Sequence, residues 1–380
     1  MSDPSRSRSL MEHFSGIKDP REGWRVLYPL RELLLLVLCA TLAGMEDFVE
    51  IKLWGDQRLG FLRRFYPYER GVPSHDTLND LINALDPQLF KACFIAWVED
   101  LREDEPDVIA IDGKTSRRSH DRAKGRAPLH MVSAWACRQR LVLGQEAVDV
   151  KSNEIIAIPL LLERLELTGA LVTIDAVGTQ TRIAETIVRR GGDYLLALKE
   201  NRPVLHADVK TFFADPHAEG CESFDTTDAD HGRIEQRHHV VRHGVDWLFS
   251  DRRYADEPRF PHLTMIGMVQ SHTRHGDKIL QERRYYLCSA RLSAKAFASA
   301  VRAHWGIENR LHWVLDVIFL DDLARLRSGS GPENMAIVKH MAMNLLRNPK
   351  DRHSLKSRRK LAGLNQDYLQ ALVSQMPPLT

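Results

Sequence analysis

The sequence has little cysteine, no long hydrophobic run and no strong charge of either sign. Its five cysteines are scattered and form no Cys-x-x-Cys pair, which argues against a disulfide framework and favours a reducing cytoplasm. The longest uncharged apolar run covers residues 33–43. It falls well short of the ~20 residues of a membrane helix, so we expect no membrane span. The 53 basic and 51 acidic side chains leave a net charge of +2, which excludes a polycation.

What the chain does have is an ordinary globular composition, with 43% hydrophobic and 27% charged residues among 380. Residues 10–97 are typical of short helices. Ser74 is expected to cap the third of them, and Asp86 with Pro87 to begin the fourth. The pattern predicts a small all-helical domain over residues 1–100. Both DNA contact and simple helix packing remain open for it.

After an acidic segment at residues 99–107, the pattern changes to alternating strands and helices, which predicts an α/β fold. Two short apolar strands, at residues 108–111 and 171–174, are each followed by an aspartate, Asp112 and Asp175. Residues at the carboxyl ends of such strands line the ligand crevice of α/β sheets. For either aspartate alone, a turn or helix-cap role is the alternative.

A third carboxylate, Glu308, stands in a helix predicted from Ser293 to about Asp316. Its neighbours are aromatic and apolar, and a carboxylate in such surroundings is either paired or used. Three converging carboxylates repel one another unless cations neutralise them, and oxygen ligands suit Mg²⁺ or Mn²⁺. Asp112, Asp175 and Glu308 are therefore the predicted set. Two ions held there would clamp the attacking and leaving oxygens of a phosphoryl transfer.

A zinc site is the competing interpretation of the same helix. His304, Glu308 and His312 are spaced four apart, so they share one helix face. Imidazole and carboxylate groups are zinc ligands. The first and last of them are nevertheless about 12 Å apart along a straight helix, so one ion cannot reach both unless the helix is broken.

Five motifs occur along the chain in a fixed order. They are residues 110–115 (AIDGKT), 151–155 (KSNEI), 173–176 (TIDA), 194–199 (YLLALK) and 304–317 (HWGIENRLHWVLDV). Together they are specific, although each alone is weak. With them the sequence resembles bacterial insertion-sequence transposases of the DDE type, in the H-repeat-associated (ISAs-type) branch.

The resemblance implies a ribonuclease-H-like catalytic core over residues 101–345, with a β-rich insertion at about residues 215–290. It also implies a helical transposase-associated domain before the core, and a basic tail follows at residues 346–380. Asp112, Asp175 and Glu308 would be the catalytic and metal-binding residues. The implied activity is metal-dependent cleavage at insertion-sequence ends, then attack of the freed 3′-hydroxyl on target DNA. Spacings of 63 and 133 positions between the three carboxylates leave room for such a core and its insertion.

DNA contacts are expected from local basic clusters. Residues 112–126 hold six basic side chains and residues 347–360 hold seven, although either cluster alone is equally typical of a solvated surface or tail. Because the first cluster adjoins the predicted site, phosphate contact explains it better. The predicted DNA-binding residues, including those that the resemblance adds, are Lys114, Arg117, Arg118, Lys199, Asn201, His304, Asn309 and Arg310.

The chain departs from related transposases at three places. Those often have an arginine before the glutamate and a lysine after it, whereas this chain has His304 before Glu308 and Leu315 after it. Glu200 also puts a negative charge beside Lys199. We expect His304 to take over the arginine's phosphate contact. Two nearby tryptophans are expected in the core, with base stacking as the alternative, namely Trp305 and Trp313.

The expected cofactors are two Mg²⁺ or Mn²⁺ ions. The expected partners are double-stranded DNA, both element ends and target, and a second copy of the chain in a homodimer, which is an expectation by analogy. We expect the protein in the bacterial cytoplasm, associated with the nucleoid. A domesticated, non-mobile DNA-binding protein or a nuclease of the same fold is the alternative function.

Overall fold

A computed structural model describes most of the chain, and the structural statements below concern residues 9–120, 125, 127–148, 153–215, 219–230, 233–249, 260–275, 278–349 and 351–375. Several features singled out in the sequence lie outside the described residues. Two belong to the KSNEI motif, Lys151 and Ser152. Four belong to the basic clusters, namely Arg122, Lys124, Arg126 and Lys350. The last two are Gly276 and Asp277, where the sequence HGD at residues 275–277 predicts a hairpin turn.

The N-terminal part is helical, as predicted. Ser74 and Asp86 both cap helices through their side chains, which confirms the predicted starts. The sequence indicates a single helix over residues 48–61, but the structure has two, because the chain breaks at Arg58. The helices are α1 Leu10–Ser15, α2 Leu30–Leu42, α3 Phe48–Gln57, α4 Leu59–Leu62, α5 His75–Ala84 and α6 Pro87–Leu101.

A mixed sheet forms the centre of the molecule. Its strands are β1 Val108–Ser116, β2 Leu129–Ala136, β3 Leu141–Ala147, β4 Leu171–Ile174, β5 Asp193–Leu198, β6 Cys221–Asp230, β7 Arg233–His243, β8 Met265–His275 and β9 Lys278–Cys288. Among the described residues, the order is β3-β2-β1-β4-β5-β9-β8-β7-β6. Strands β1, β4 and β5 are parallel, and the other pairings are antiparallel.

Four strands, β6 to β9, lie where the β-rich insertion was expected. Strand β9 pairs with β5, so these four strands extend the central sheet instead of forming a separate one. The remaining helices are α7 Glu154–Leu162, α8 Thr181–Arg189, α9 Pro203–Ala214, α10 Ala294–Ile307, α11 Trp313–Val317, α12 Gly331–Arg347, α13 Leu355–Leu364 and α14 Gln366–Ser374.

One apolar core joins the N-terminal helices to the sheet. Helix α2 is buried almost all round and packs against α12, while α6 packs against β3. The side-chain amide of Asn344 on α12 bonds the backbone of Val142 in both directions, at 2.9 Å each. Helix α12 thereby covers the edge strand β3, whose backbone would otherwise be open to pairing.

The C-terminal residues differ from the expected basic tail because two of its arginines serve the fold. Arg359 donates to the carbonyl oxygen of Thr41 at 3.1 Å and lies 2.8 Å from a carboxylate oxygen of Glu46. Arg358 donates to the carbonyl oxygen of Leu346 at 2.8 Å. Both arginines are buried. Helices α13 and α14 are therefore docked onto the rest of the molecule.

Candidate active site

Asp112 lies within β1, not at its end. The strand continues to Ser116 because residues 109–116 pair with β2, and Asp112 itself pairs with Ser133. The expectation that the strand stops before Asp112 was wrong, because the polar residues that follow also pair with β2. Its carboxylate Oδ1 accepts a hydrogen bond from the backbone N–H of Gly113 at 2.9 Å.

Asp175 directly follows β4, as predicted. Strands β1 and β4 are parallel with Ile111 level with Ile174, so Asp112 and Asp175 come at the same height on neighbouring strands. The Oδ1 atom of Asp175 accepts from the backbone N–H groups of Val177 at 3.1 Å and Gly178 at 3.4 Å. The tight turn after β4 thus fixes this carboxylate.

Glu308 lies at an irregularity in a long helix that packs against β1 and β4. Ser293 caps α10, and α10 runs into a π-helical turn over Glu308–His312 before α11. The extent predicted for this helix is confirmed, whereas the π turn was not foreseen. Such turns are frequent at functional sites, because they change the direction of side chains within a continuous helix.

The helix and β1 bring together a compact group of ligand atoms. One atom each from Asp112, Glu308 and His312 lies within 4.8 Å of the other two. The His312 Nδ1 atom is 3.6 Å from Asp112 Oδ2 and 3.9 Å from Glu308 Oε2. Two carboxylates and an imidazole at this separation are a suitable donor set for one divalent ion.

The electrostatics of the group also suit a cation. Burial, together with the nearby charges of Glu308 and Asp175, raises the pKa of Asp112 to about 8. Burial also raises the pKa of Asp175, and the Glu154 carboxylate adds to that rise. Carboxylates that repel each other in this way regain their charged form when a metal ion binds among them. Asp175 is thus within electrostatic reach of Asp112.

His312 is the part of the site that the sequence argument did not assign to it. Burial, and then the charges of Lys114 and His130, lower the pKa of His312 to about 4, which keeps the imidazole neutral. Its Nε2 atom is buried and has no hydrogen-bond partner among the described residues. A neutral imidazole is the form that ligates metals. The available signal was its position four residues after Glu308.

His304 lies away from this group. Its Nδ1 atom is 3.0 Å from the hydroxyl oxygen of Thr173 on β4, and burial lowers its pKa to about 4. The three-residue zinc set on one helix face is therefore not assembled, because only Glu308 and His312 of that set meet. The expected phosphate contact of His304 stays a prediction.

Two of the predicted DNA-binding residues flank Asp175. Lys199 is exposed just after β5, and its charge acts to lower the pKa of Asp175. Asn201 donates its side-chain N–H to the carbonyl oxygen of Ala176 at 2.5 Å, which ties the two loops together. An exposed cation beside the carboxylates is placed suitably for a phosphate group.

The basic residues after Asp112 face aspartates of α11 and of the turn that follows it. The Lys114 Nζ atom is 2.6 Å from Asp316 Oδ1 and 3.5 Å from Asp322 Oδ1. Arg117 Nε is 3.3 Å from Asp322 Oδ2, but the Arg117 side chain is 82% exposed. Lys114 is thus held inside the protein, whereas Arg117 remains accessible. Three further predicted contacts are exposed, namely Arg118, Asn309 and Arg310.

The two tryptophans beside Glu308 are not in the core. Trp305 is 41% exposed and Trp313 is 55% exposed, so the expectation of core positions was wrong. The Arg284 guanidinium lies 4.9 Å from the centre of the Trp305 ring. Apolar neighbours in the sequence suggested burial, but both side chains remain open to solvent.

Comparison with known proteins assigns the family. Residues 103–345 match the family described as the transposase DDE domain, and residues 11–98 match the DDE_Tnp_1-associated family. The chain belongs to the DDE transposases. Family membership indicates an enzyme that acts on DNA and normally uses a divalent metal. No helix among the described residues is both long and apolar enough to cross a membrane.

Several curated proteins are similar over nearly the whole chain. The "H repeat-associated putative transposase YhhI" of Escherichia coli (strain K12) is 36% identical over 97% of this chain and 98% of its own length. The "Putative transposase YncI" of Escherichia coli O157:H7 is 38% identical over 98% of this chain and 96% of its own. An "Uncharacterized protein in dhlA 3'region" of Xanthobacter autotrophicus is 41% identical over 73% of this chain and 92% of its own. These relatives support the H-repeat-associated branch.

Proposed function

We propose that this protein is a metal-dependent DNA transposase that cleaves DNA at insertion-sequence ends and joins the freed 3′-hydroxyl to target DNA. The observation that carries the proposal is that ligand atoms of Asp112 and Glu308, which are far apart in the sequence, meet with His312 within 4.8 Å, while Asp175 follows the strand next to that of Asp112 at the same height. In-register parallel strands and the π turn support their assembly at one place. No covalent protein–DNA intermediate is required, so no serine or tyrosine nucleophile is assigned.

The proposed fold of the catalytic part is ribonuclease-H-like. The five strands β3-β2-β1-β4-β5, with β1, β4 and β5 parallel, support this assignment. We propose residues 101–345 as the catalytic domain, with the strand-rich insertion near residues 215–290. Residues 1–100 would be the helical associated domain, with a possible part in DNA binding, and residues 346–380 the C-terminal segment.

In this proposal the residues of the site hold two Mg²⁺ or Mn²⁺ ions. Asp112 and Glu308 would bind metal together with His312, and Asp175 would bind from the neighbouring strand. When bound, the ions supply charge stabilisation for the attacking and leaving oxygens. The chain's own contribution is alignment, because β1, β4 and the π turn fix the carboxylates before DNA arrives.

The proposed DNA path runs over the exposed cations and amides around the site. Arg117, Arg118 and Lys199 would contact phosphates directly, and Asn309 and Arg310 follow Glu308 on the π turn. Three of the predicted contacts are already held by protein groups, since Lys114 pairs with Asp316, His304 bonds Thr173 and Asn201 bonds Ala176. Lys114 can reach a phosphate only if its pairs with Asp316 and Asp322 open. We propose that a homodimer acts on double-stranded DNA, in the cytoplasm at the nucleoid.

The test uses purified protein and a DNA duplex carrying the sequences that flank this gene. Wild-type protein with Mg²⁺ or Mn²⁺ should nick the duplex at defined positions and join the 3′ ends to a second DNA. Asp112→Asn, Asp175→Asn and Glu308→Gln should each reduce cleavage by about 10²–10³-fold, the range for loss of one preorganised electrostatic group. Glu163→Gln is the matched control, since that carboxylate lies on the surface and pairs with Arg189.

The possible outcomes separate the candidate functions. Cleavage without joining would indicate a nuclease of the same fold. DNA binding without any metal-dependent cleavage would indicate a domesticated binding protein and would contradict the proposal. Equal cleavage by wild type and Asp112→Asn would also contradict it, because the reaction would then not depend on the site.

A further inference from the structure

A fourth carboxylate, Glu154, lies directly against the strand that carries Asp112. It is the first residue of α7, and its Oε1 atom is 2.6 Å from His130 Nε2. The other ring nitrogen of His130, Nδ1, is 2.7 Å from the hydroxyl oxygen of Thr115. A neutral His130 can donate from Nε2 to Glu154 and accept the Thr115 hydroxyl at Nδ1. Three segments thus hold this carboxylate in one orientation.

The glycine after Asp112 makes room for the pair. A Cβ atom at Gly113 would lie 2.1 Å from Glu154 Oε1 and 2.7 Å from His130 Nε2. Both separations are shorter than any side chain tolerates, so Glu154 and His130 can occupy these positions only if residue 113 has no side chain. The Glu154–His130 pair therefore lies against the backbone of Gly113, one residue away from the candidate metal ligand Asp112.

Glu154 also acts on the other members of the site. Its charge contributes to the raised pKa of Asp175, which places the two carboxylates within electrostatic reach of each other. It acts on His312 too, where it opposes the fall in pKa caused by burial. The Oε1 atom of Glu154 itself lies beside Gly113, the residue that follows Asp112.

One oxygen of Glu154 is still available to a ligand. His130 binds Oε1, and no described residue hydrogen-bonds Oε2. The side chain is 22% exposed, so solvent and ions can reach it. A carboxylate has about four acceptor positions, and a single bond from His130 leaves most of them open.

We propose that Glu154 is a fourth metal-binding carboxylate of the site, on the side of Asp175, and that His130 is the residue that positions it. The inference deepens the proposed function and rests on it, because it assumes that the site binds metal. A carboxylate held by a histidine in this way loses little freedom when an ion binds, which favours affinity. Glu154 of the KSNEI motif would then serve metal binding and not only the start of α7.

The experiment measures Mn²⁺ binding directly, by electron paramagnetic resonance of free Mn²⁺ in titrations of the full chain without DNA. Glu154→Gln should weaken the tightest Mn²⁺ binding by about 10- to 100-fold, the range seen when a ligand's environment is altered. His130→Gln should weaken it in the same direction, because it releases Glu154. The matched control is Glu163→Gln on the C-terminal side of α7, which should bind Mn²⁺ as the wild type does.

The controls separate failure of this inference from failure of the proposed function. Unchanged binding by Glu154→Gln, with weakened binding by Asp112→Asn, would overturn the role of Glu154 and keep the metal site. Absence of Mn²⁺ binding to the wild type would overturn both. Thermal unfolding in EDTA checks that the variants fold. If Glu154→Gln does not fold, Glu154→Asp takes its place, since a shorter carboxylate should also lower the affinity.

Discussion

Individual carboxylates in this site have environments that favour the neutral form until a cation is present. Asp112 is the clearest case, because burial and two neighbouring negative charges act in the same direction on its pKa. In the folded, metal-free protein the Asp112 carboxyl group is therefore more stable in its protonated form. That cost at one residue is expected where function, and not stability, determines the choice of side chain.

The first prediction concerns the stability of the metal-free protein against pH. The folded-state pKa of Asp112 is about 8, above the ordinary 3.8, so the folded state retains a proton that the unfolded chain has lost. The contribution of Asp112 to the free energy of unfolding should therefore fall as the pH rises from about 4 to about 8, whereas the buried His304 and His312, whose pKa values are lowered to about 4, contribute in the opposite direction. Asp112→Asn should remove the contribution of Asp112 and stabilise the metal-free protein at pH 8 by about 1 kcal/mol relative to the wild type. Thermal unfolding in EDTA at pH 5 and pH 8 measures both effects.

A stability difference between Asp112→Asn and the wild type that is the same at pH 5 and at pH 8 in EDTA would contradict this account of Asp112. Added Mn²⁺ gives a second check. It should raise the unfolding temperature of the wild type more at pH 8 than at pH 5, since metal competes with protons for the same oxygens.

Sequence patterns located the residues that end or interrupt an element, and they missed those whose role depends on a distant partner. Asp175 was found because an apolar strand stops before it. His312 and Glu154 were not assigned to the site, because the contacts that place them there join residues from different elements. Trp305 and Trp313 were misplaced for the related reason that an apolar neighbourhood in sequence does not fix the direction of a helix face.

At the scale of elements, a buried ion pair joins the N-terminal helices to the sheet. The Nζ atom of Lys91 on α6 is 2.5 Å from Glu146 on β3 and 2.7 Å from Glu333 on α12. The Lys91 side chain is 1% exposed. Removing one partner of a buried ion pair lowers the stability strongly, because the remaining charge has neither water nor an opposite charge beside it. The intact pair itself contributes little net stability.

The second prediction follows from this pair. Lys91→Ala should lower the free energy of unfolding by about 3 kcal/mol or more, because Glu146 and Glu333 would stay buried with less compensation. Lys52→Ala is the control, since Lys52 pairs with Asp56 on the surface of α3, and it should cost less than about 1 kcal/mol. Urea unfolding followed by circular dichroism measures both. A cost for Lys91→Ala no larger than that of the control would contradict the prediction.

Elements were predicted well where local signals set their ends, and poorly where packing did. The caps at Ser74, Asp86 and Ser293 are local, and the structure has all three. The length of β1 depends on pairing with β2, and its continuation past Asp112 was therefore missed. The docking of Arg358 and Arg359 was also invisible, because their acceptors include a carbonyl more than 300 positions away.

For the molecule as a whole, the near-zero net charge of +2 conceals a separation of charges. Exposed cations lie after Asp112 and after β5, while Asp316 of α11 and Asp322 in the turn after it hold Lys114. DNA affinity should therefore depend on a few accessible cations and not on the total charge.

The third prediction tests two of these cations. The double variant Arg117→Ala/Arg118→Ala should weaken DNA binding and reduce the slope of log affinity against log salt by about 2, since each phosphate contact contributes about 0.9. Arg138→Ala/Arg189→Ala is the control. Arg138 pairs with the surface residue Glu103 near the start of β1, and Arg189 pairs with the surface residue Glu163 at the end of α8. Fluorescence anisotropy at several salt concentrations gives the slopes. Equal slopes for wild type and the first variant would count against phosphate contact there.

The contact between the two ends of the chain has a consequence for synthesis on the ribosome. Helix α2 is apolar on all sides, and its partners α12 and α13 come about 300 residues later. At about 5–20 residues per second, translation leaves α2 without these partners for about 15–60 seconds. During that time the nascent chain exposes a surface that chaperones bind and proteases attack. The yield of active protein should therefore depend on elongation rate and chaperone supply as well as on the stability of the finished fold.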